Sequence, residues 1–355
     1  MIPVENLYMM LAYAWNRLEQ ASIVDVTTLS QQNLPSLLAH VLNTGVSHLT
    51  KRGLHKHYRE VAEESGTLRG RIDTAASVKR ALFQRARAVC QHDEYSADVI
   101  HNQIIKATLR RLIQCGDVAS RLRAEASRLV LRLPDVSDIH LTARAFHSAV
   151  VHRHTATYAF LLDVCKMIYD ETLPSEGCGH FRFPDFMRDE KKMWRLFQDF
   201  VFNFYKKELS GFSVSASHVK WDIGPDTADK HLLPSMRTDV SLNSASRHII
   251  LDTKYTAKIF QRHYHKKSFR SEHLYQLLTY VQQQAAHNAA MALPAPEGIL
   301  LYPLAADAAE ARYAVSGHTL FIATVDLRQP WLQVRQRLMS LILGADVPMT
   351  AQTTQ

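Results

Sequence analysis

Apolar residues recur at three- and four-residue spacing through much of the first 170 positions, the period of helices with one buried face. Leu7, Met10, Leu11 and Ala14 share a face of a helix predicted over residues 3–18, and Leu34, Leu37, Leu38, Val41 and Leu42 do so over residues 33–49. A third helix is predicted from "SADVIHNQIIKATLRRLIQC", with Ser96 or Asp98 as its cap and Ile100, Ile104, Leu109 and Leu112 turned inward. Another runs through "VASRLRAEASRLVLRL" and stops at Pro134, and "YAFLLDVCKMIYD" adds one more. Between residues 54 and 95 the helical period fails. There "GTLRGRI" supplies two glycines and "KRALFQRARAVCQHDEY" is dense in arginine, which predicts strands or hairpins projecting from a helical body.

The loop "ETLPSEGCGHFRFPDF" collects prolines and glycines and marks a domain boundary, with one domain over residues 1–170 and a second over 171–355. Beyond it the pattern changes from helices alone to helices alternating with strands. A long helix, "EKKMWRLFQDFVFNFYKKEL", precedes a hairpin, "MRTDVSLNSASRHIILDTKY"; then come a second long helix, "SEHLYQLLTYVQQQ", and two apolar strands, "EGILLYP" and "HTLFIATVD". The expected architecture is α+β: a mainly helical N-terminal domain with a β-rich element, then an α/β domain around one mixed sheet. The tail "PMTAQTTQ" is expected to fray.

Composition narrows the partners. The chain is 46% hydrophobic and 21% charged, ordinary for a folded protein, but its 42 Lys and Arg against 34 Asp and Glu leave a formal +8 and a pI near 9.3. That surplus favours a polyanion, nucleic acid first. The four cysteines form no CxxC pair, and Cys178 with His180 offers too few ligands for a metal site, so a reduced compartment is expected. No stretch approaches the roughly 20 apolar residues that span a bilayer, and a cytoplasmic location follows as the expectation. The sequence has no Gly-Lys dipeptide, hence no Walker A phosphate loop; any nucleotide-driven motor would come from another chain.

Candidate chemistry concentrates in the hairpin. Residues two apart in a strand face one side, so Asp252 and Lys254 point together, and pairing across the turn brings Asp239 toward Asp252. Two carboxylates can hold Mg²⁺, with the Thr253 backbone carbonyl as a further ligand, while the lysine stabilises an attacking hydroxide; the product is a site for phosphodiester hydrolysis. A solvated ion pair at a strand end, contributing under about 1 kcal/mol, is the plainer alternative. The continuous apolar run "HIIL" before Asp252 opposes it, because charge in a central strand is costly. Downstream, Lys258, Arg262, Lys266, Lys267 and Arg270 interleave with aromatic residues and suit phosphate contacts. Gln276 and Tyr280, four apart on the following helix, can present one amide and one hydroxyl to the same place.

Asp239, the "LDTK" of residues 251–254 and the Gln276-x-x-x-Tyr280 pair together resemble the PD-(D/E)xK nuclease core, with Thr238 where a proline often stands and Gln198 where the preceding helix often carries glutamate. "IPVENLYMMLAYAW", "GTLRGRID", "DEYSADVIHNQIIKATLRRLI", "GHFRFPDF", "LLPSMRTDV" and "ILDTKY", in that order, resemble the McrC family of McrBC-type modification-dependent restriction systems. The resemblance implies a restriction-endonuclease-like C-terminal domain that cuts DNA with Mg²⁺, using Asp239, Asp252 and Lys254 as catalytic residues. It also implies an N-terminal part that docks on and stimulates a hexameric McrB-type AAA+ GTPase, which binds the GTP and recognises double-stranded DNA bearing modified cytosine. Arg69, Arg71, Arg80, Arg85 and Arg87 are the candidate ring contacts, and two copies of the chain could pair to cut both strands. Two other readings stay open: an activator of a ring whose nuclease has lost activity, and a stand-alone repair nuclease.

Overall fold

The structure, a computed structural model, describes residues 2–21, 24, 33–151, 156–174, 180–184, 186–223, 229–256, 258–263, 266–304 and 308–344, with the side chains of 262–267 excepted. Two compact units emerge: Asn33–Pro184, and Met1–Gln32 together with Asp185–Gln355. A single cut at 170/171 is therefore replaced by an inserted unit. The chain opens with α1 (Val4–Ala14) and α2 (Leu18–Ala21), both in the discontinuous unit.

In the inserted unit α3 (Leu34–Arg52) begins at Asn33, whose side chain accepts from the Ser36 amide at 3.1 Å, and has Pro35 in its first turn. It ends at Gly53, whose φ of 95° few other residues tolerate. Next come β1 (His57–Ser65), β2 (Arg71–Asp73), α4 (Thr74–Lys79) and β3 (Ala88–Ser96), the strands forming an antiparallel sheet in the order β1-β3-β2. This is the expected β-rich element, and β1 has no fully buried residue. The short helix α4 was not foreseen; Asp73 caps it by accepting from the Ala76 amide at 2.9 Å.

The helices α5 (Ile100–Ile113), α6 (Ser120–Leu131), α7 (Ala143–Ser148) and α8 (Ala156–Glu171) follow, then the short pair β4 (Leu173–Pro174) and β5 (Phe181–Arg182). Leu38, Leu42, Ile104, Leu109, Leu122 and Leu161 are buried in this helical body, as the sequence period requires, whereas Ile100 is only half-buried. The cap expected at Ser96 or Asp98 is absent: Val99 takes the N-cap position of α5 without a side-chain bond. Asp98 instead accepts from Ser137 N and Oγ and from Gln103 Nε2, each at 2.7 Å, and pairs with Arg59 at 3.1 Å. Those donors hold its carboxyl below the usual range despite burial, which acts the other way and is the largest single influence.

The remaining elements are α9 (Glu190–Glu208), β6 (Ser213–Ser215), β7 (His218–Val219), β8 (Met236–Arg237), β9 (Val240–Asn243), β10 (His248–Thr253), β11 (Phe260–His263), β12 (Lys266–Phe269), α10 (Ser271–Ala290), β13 (Pro296–Pro303), β14 (Glu310–Val315), β15 (His318–Val325) and α11 (Trp331–Leu343). Asp189 starts α9 by accepting from the Lys191 and Lys192 amides. Among the described residues the main sheet has six strands in the order β14-β15-β13-β10-β9-β6. The pairs β10/β13 and β13/β15 are parallel and the rest antiparallel, so the sheet is mixed as expected. Ile250, Leu300, Tyr302 and Ile322 cluster with Leu277 and Val281 of α10.

The packing of α1 explains why the boundary moved. Tyr13 meets Phe200 and Phe204 of α9 and Trp331 of α11 at ring-centroid distances of 5.3–5.9 Å, and its hydroxyl donates to Glu208 Oε1 at 2.6 Å. Asn6 Nδ2 donates to the Leu327 and Gln329 carbonyls, both at 2.7 Å. An amphipathic helix states only that it has a partner; the partner here is nearly two hundred residues away.

Within the sheet, Gly298 is a close-approach position: a Cβ there would lie 2.7 Å from Leu320 Cδ2, 3.0 Å from Val281 Cγ2 and 3.1 Å from Leu277 Cγ. Gly298→Ala is expected to destabilise this unit by about 1–3 kcal/mol through overpacking, read as a lower urea midpoint with an unchanged slope. An unchanged midpoint would mean that the α10–sheet interface is looser than described.

Candidate active site

Every residue of β10 is buried, and that burial extends to Asp252, 1% exposed, next to the last residue of the strand. Its strand partners are apolar: the parallel register sets Asp252 beside Leu300, and the antiparallel register sets Leu251 beside Val240. Continued one step past the ladder, that register places Asp239, in the bend between β8 and β9, opposite Asp252. Burial pushes the Asp252 carboxyl up to about 7; the Lys254 charge opposes the rise and the Asp239 carboxylate adds to it.

Lys254 Nζ lies 2.8 Å from Asp252 Oδ2 and donates to Gln276 Oε1 at 2.9 Å, and Gln276 Nε2 donates to the Tyr280 hydroxyl at 2.9 Å. The expected convergence of Asp252, Lys254, Gln276 and Tyr280 is thus present. The Lys254 ammonium is the one group that meets buried Oδ2 of Asp252 among the described residues. Asp239 is held from the other side: Oδ2 accepts from Thr253 N at 2.8 Å and Thr253 Oγ1 at 2.7 Å, and Oδ1 accepts from Gln198 Nε2 at 2.8 Å.

Gln198 therefore sits where the resemblance would place a glutamate, and as a neutral amide it donates to the carboxylate rather than adding a negative charge. Trp194, one helical turn earlier on α9, points its indole N–H at the Thr253 carbonyl at 3.4 Å. A carbonyl has two lone pairs, so this long contact leaves one free for another ligand.

Sequence reasoning missed Trp194 and also His273 and Tyr302. His273 Nδ1 lies 2.8 Å from the Tyr302 hydroxyl. Burial, then the charges of Lys254 and Arg270, lower the His273 pKa to about 4, so it is neutral at pH 7. Burial likewise raises the Tyr302 pKa, with Asp252 contributing to the rise. The available signal was helical period: His273, Gln276 and Tyr280 share one face of α10, as Trp194 and Gln198 share one face of α9. Tyr302 carried no comparable signal, standing in a run of apolar strand residues.

Of the basic segment, Lys258 is exposed and Arg270 pairs with Glu272 at 2.7 Å. The side chains of Arg262, Lys266 and Lys267 lie outside the described residues; their backbone forms the β11–β12 hairpin, closed by Phe260 and Phe269 at 4.9 Å between rings. Arg69, Arg71, Arg80, Arg85 and Arg87 are all exposed around the small sheet of the other unit, Arg87 beside Glu64 at 3.4 Å. Cys178 and the C-terminal tail are outside the described residues, and Cys90, Cys115 and Cys165 are buried free thiols. No helix among the described residues is long and apolar enough to cross a membrane.

Among the described residues no three His, Cys, Asp or Glu side chains gather as a metal cluster. The donors at this centre are two carboxylates and a carbonyl, with one buried carboxylate oxygen met only by the Lys254 ammonium. That sparse, all-oxygen set fits Mg²⁺, which keeps several waters and leans on one or two protein carboxylates.

A buried carboxylate and lysine at the end of a central strand, faced by a second carboxylate, define a centre suited to hard cations and phosphate oxygens. The chain belongs to the family of McrBC 5-methylcytosine restriction system components, whose model matches residues 4–303. It is 34% identical over 341 residues to the type IV methyl-directed restriction enzyme EcoKMcrBC of Escherichia coli (strain K12), covering 96% of this chain and 97% of that one. Its fold is similar to a chain in the refined half-complex from a tetradecameric assembly of Thermococcus gammatolerans McrB AAA+ hexamers with bound McrC. There the TM-score is 0.59 at 17% identity, over 95% of this chain and 75% of that one.

The raised Asp252 pKa has a stability consequence with a definite sign. A carboxyl at about 7 in the fold and near 4 when unfolded is neutral in one state and ionised in the other between those values. Its contribution is complete below pH 4 and is lost as the pH rises toward 7. In metal-free melts, the Tm of Asp252→Asn minus that of the wild type should grow between pH 4 and 7 and level off above. A difference that stays flat across this range would mean that Asp252 is ionised in the fold throughout.

Proposed function

We propose that this chain is the nuclease subunit of a modification-dependent restriction complex, a Mg²⁺-dependent endonuclease of PD-(D/E)xK type that works with an McrB-type AAA+ GTPase. The observation that carries the reading is the junction of Asp239, Asp252 and Lys254, with Asp252 Oδ2 buried and met only by the lysine, in a chain of the McrBC family. Asp239, Asp252 and the Thr253 carbonyl would hold the metal, which when bound supplies Lewis acidity to a phosphate oxygen and to a water. Lys254, steered by Gln276 and through it by Tyr280, offers its ammonium to the attacking oxygen or the phosphate. Gln198 and the Thr253 amide and hydroxyl fix Asp239 in one rotamer, so the carboxylate is set before substrate arrives. Lys258, Arg270 and the β11–β12 hairpin would follow the DNA backbone.

The name of the Escherichia coli relative and the McrB hexamers with bound McrC in the Thermococcus gammatolerans assembly support a ring partner. The chain has no phosphate loop of its own, and the exposed arginines around β1–β3 are the surface offered for docking and for stimulating GTP hydrolysis. Gln198 in place of an acid favours one rival, an activator that binds but does not cut. That rival requires GTPase stimulation with no cleavage at all.

The test is cleavage of methylated duplex DNA by the chain with its cognate GTPase, GTP and Mg²⁺. Asp252→Ala and Lys254→Ala are each expected to lower the rate by at least about 100-fold, as loss of a group acting on the developing charge does. GTPase stimulation should persist in both. Wild-type rates from Asp252→Ala would refute the site, and full activity without the GTPase would favour a free-standing nuclease.

A further inference from the structure

β10 has a second polar end. At its first residue, 4 positions and about 13 Å of strand from Asp252, His248 is buried at the floor of a cavity of about 400 Å³. The volume lies within the roughly 300–1,000 Å³ of pockets that take small organic ligands. Ser241, His248 and Asn288, all buried, form the floor; Asn243 and Gln284 are half-buried on the walls; His218, Lys220 and His287 stand exposed at the rim. Among the described residues no carboxylate lines it.

Hydrogen bonding sets the state of the floor. Asn288 Nδ2 donates to the Pro294 carbonyl at 2.6 Å, which identifies that atom as the amide nitrogen, and it lies 2.9 Å from His248 Nδ1. Nδ1 is then an acceptor, so the imidazole proton is on Nε2 and is donated to Ser241 Oγ at 3.0 Å. Ser241 Oγ also accepts from Asn243 Nδ2 at 3.3 Å, which leaves the serine hydroxyl hydrogen for a ligand. Gln284 Nε2 donates to Asn288 Oδ1 at 2.9 Å, leaving its own carbonyl as an acceptor. Although Ser241, His248 and Asn288 are arranged like a nucleophile, base and orienting group, Nε2 carries its proton and cannot take one from serine. Burial also lowers the His248 pKa, keeping the ring neutral. The cluster is built to bind rather than to react.

The floor and rim ask for different chemistry. Asn288 and His287 belong to the last turn of α10, the negative end of a helix dipole, which disfavours a bare anion deep in the pocket. Neutral donors and acceptors in a half-enclosed pocket suit the edge of a heterocyclic ring, and a rim of one lysine and two histidines suits a phosphate. We propose that this cavity binds a single nucleotide unit, its base edge against Ser241, Asn243 and Gln284 and its phosphate at Lys220, His218 and His287. The unit could be a free nucleotide or one residue of a nucleic-acid strand. The site lies at the opposite end of β10 from the metal-type centre and does not rest on the nuclease reading.

The test is calorimetric titration of the full chain in EDTA, so that no metal-dependent binding contributes. The probes are deoxynucleoside 5′-monophosphates, the matching nucleosides, inorganic phosphate and a single-stranded oligonucleotide. Monophosphates should bind saturably, Lys220→Ala should weaken them about tenfold while leaving nucleosides unchanged, and Ser241→Ala should weaken both about tenfold. Oligonucleotide binding that also falls with Ser241→Ala assigns the unit to a strand; oligonucleotide binding indifferent to it, with monophosphate binding still sensitive, assigns a free nucleotide. Phosphate binding as tightly as the monophosphates, no saturable binding, or indifference of every ligand to both variants would overturn the proposal. Melting curves keep a loss of fold from being mistaken for a loss of site: Lys220→Ala should match the wild type, and Ser241→Ala should melt somewhat lower, because buried His248 Nε2 loses its acceptor, but still in one cooperative transition.

Discussion

The constraint on which the C-terminal architecture depends is a carboxylate in the middle of a sheet. Asp252 lies in a strand hydrogen-bonded on both sides, and its burial is severe enough to push its pKa far above that of a free aspartate. Such a group is tolerated only when its surroundings answer it. The answer comes from both helices that flank the sheet, each through polar residues four apart: Gln276 and Tyr280 of α10 reach Lys254, and Trp194 and Gln198 of α9 reach Thr253 and Asp239. Each helix thus buries a hydrophobic face and spends one polar pair at the strand end. Asp252 Oδ2 is met by the Lys254 ammonium alone, and the proposed cation would add a second positive partner.

Much of this was legible because local rules carry it. Strand period put Asp252 and Lys254 on one side, helical period put Gln276 and Tyr280 on one face, and the long helices and apolar strands appeared where apolar spacing placed them. What was not legible depends on contacts distant in sequence. The grouping of α1 with α9 and α11 is decided by aromatic packing of Tyr13 against Phe200, Phe204 and Trp331, so the boundary expected at 170 did not divide the chain. Asp98 has the right type and place for a cap, but Ser137, 39 residues on, binds it instead. Gln198 was visible only as a missing acid, and its donation to Asp239 needed the fold to be seen.

The same strand ends in two environments of opposite character. At Asp252 an ionisable group is buried beside a lysine and a second carboxylate; at His248 an imidazole is buried neutral in a chain of serine and amide side chains. The first suits charge development at phosphorus, the second suits recognition of a flat hydrogen-bonding ligand. In the inserted unit the arrangement differs again: a helical body carries a small sheet with exposed arginines. On the proposed function, the inserted unit would dock on the ring partner and the other unit would cut.

Whether Asp252 holds a metal is read most directly by Mn²⁺ titration followed by electron paramagnetic resonance, with Mn²⁺ standing in for Mg²⁺, on the wild-type chain and Asp252→Asn at pH 8. At that pH the Asp252 carboxyl, with a pKa of about 7, is mostly ionised. The wild type should show a class of bound ion that is lost in the variant. Equal binding by both would mean that the Asp252 carboxylate has no part in holding a metal.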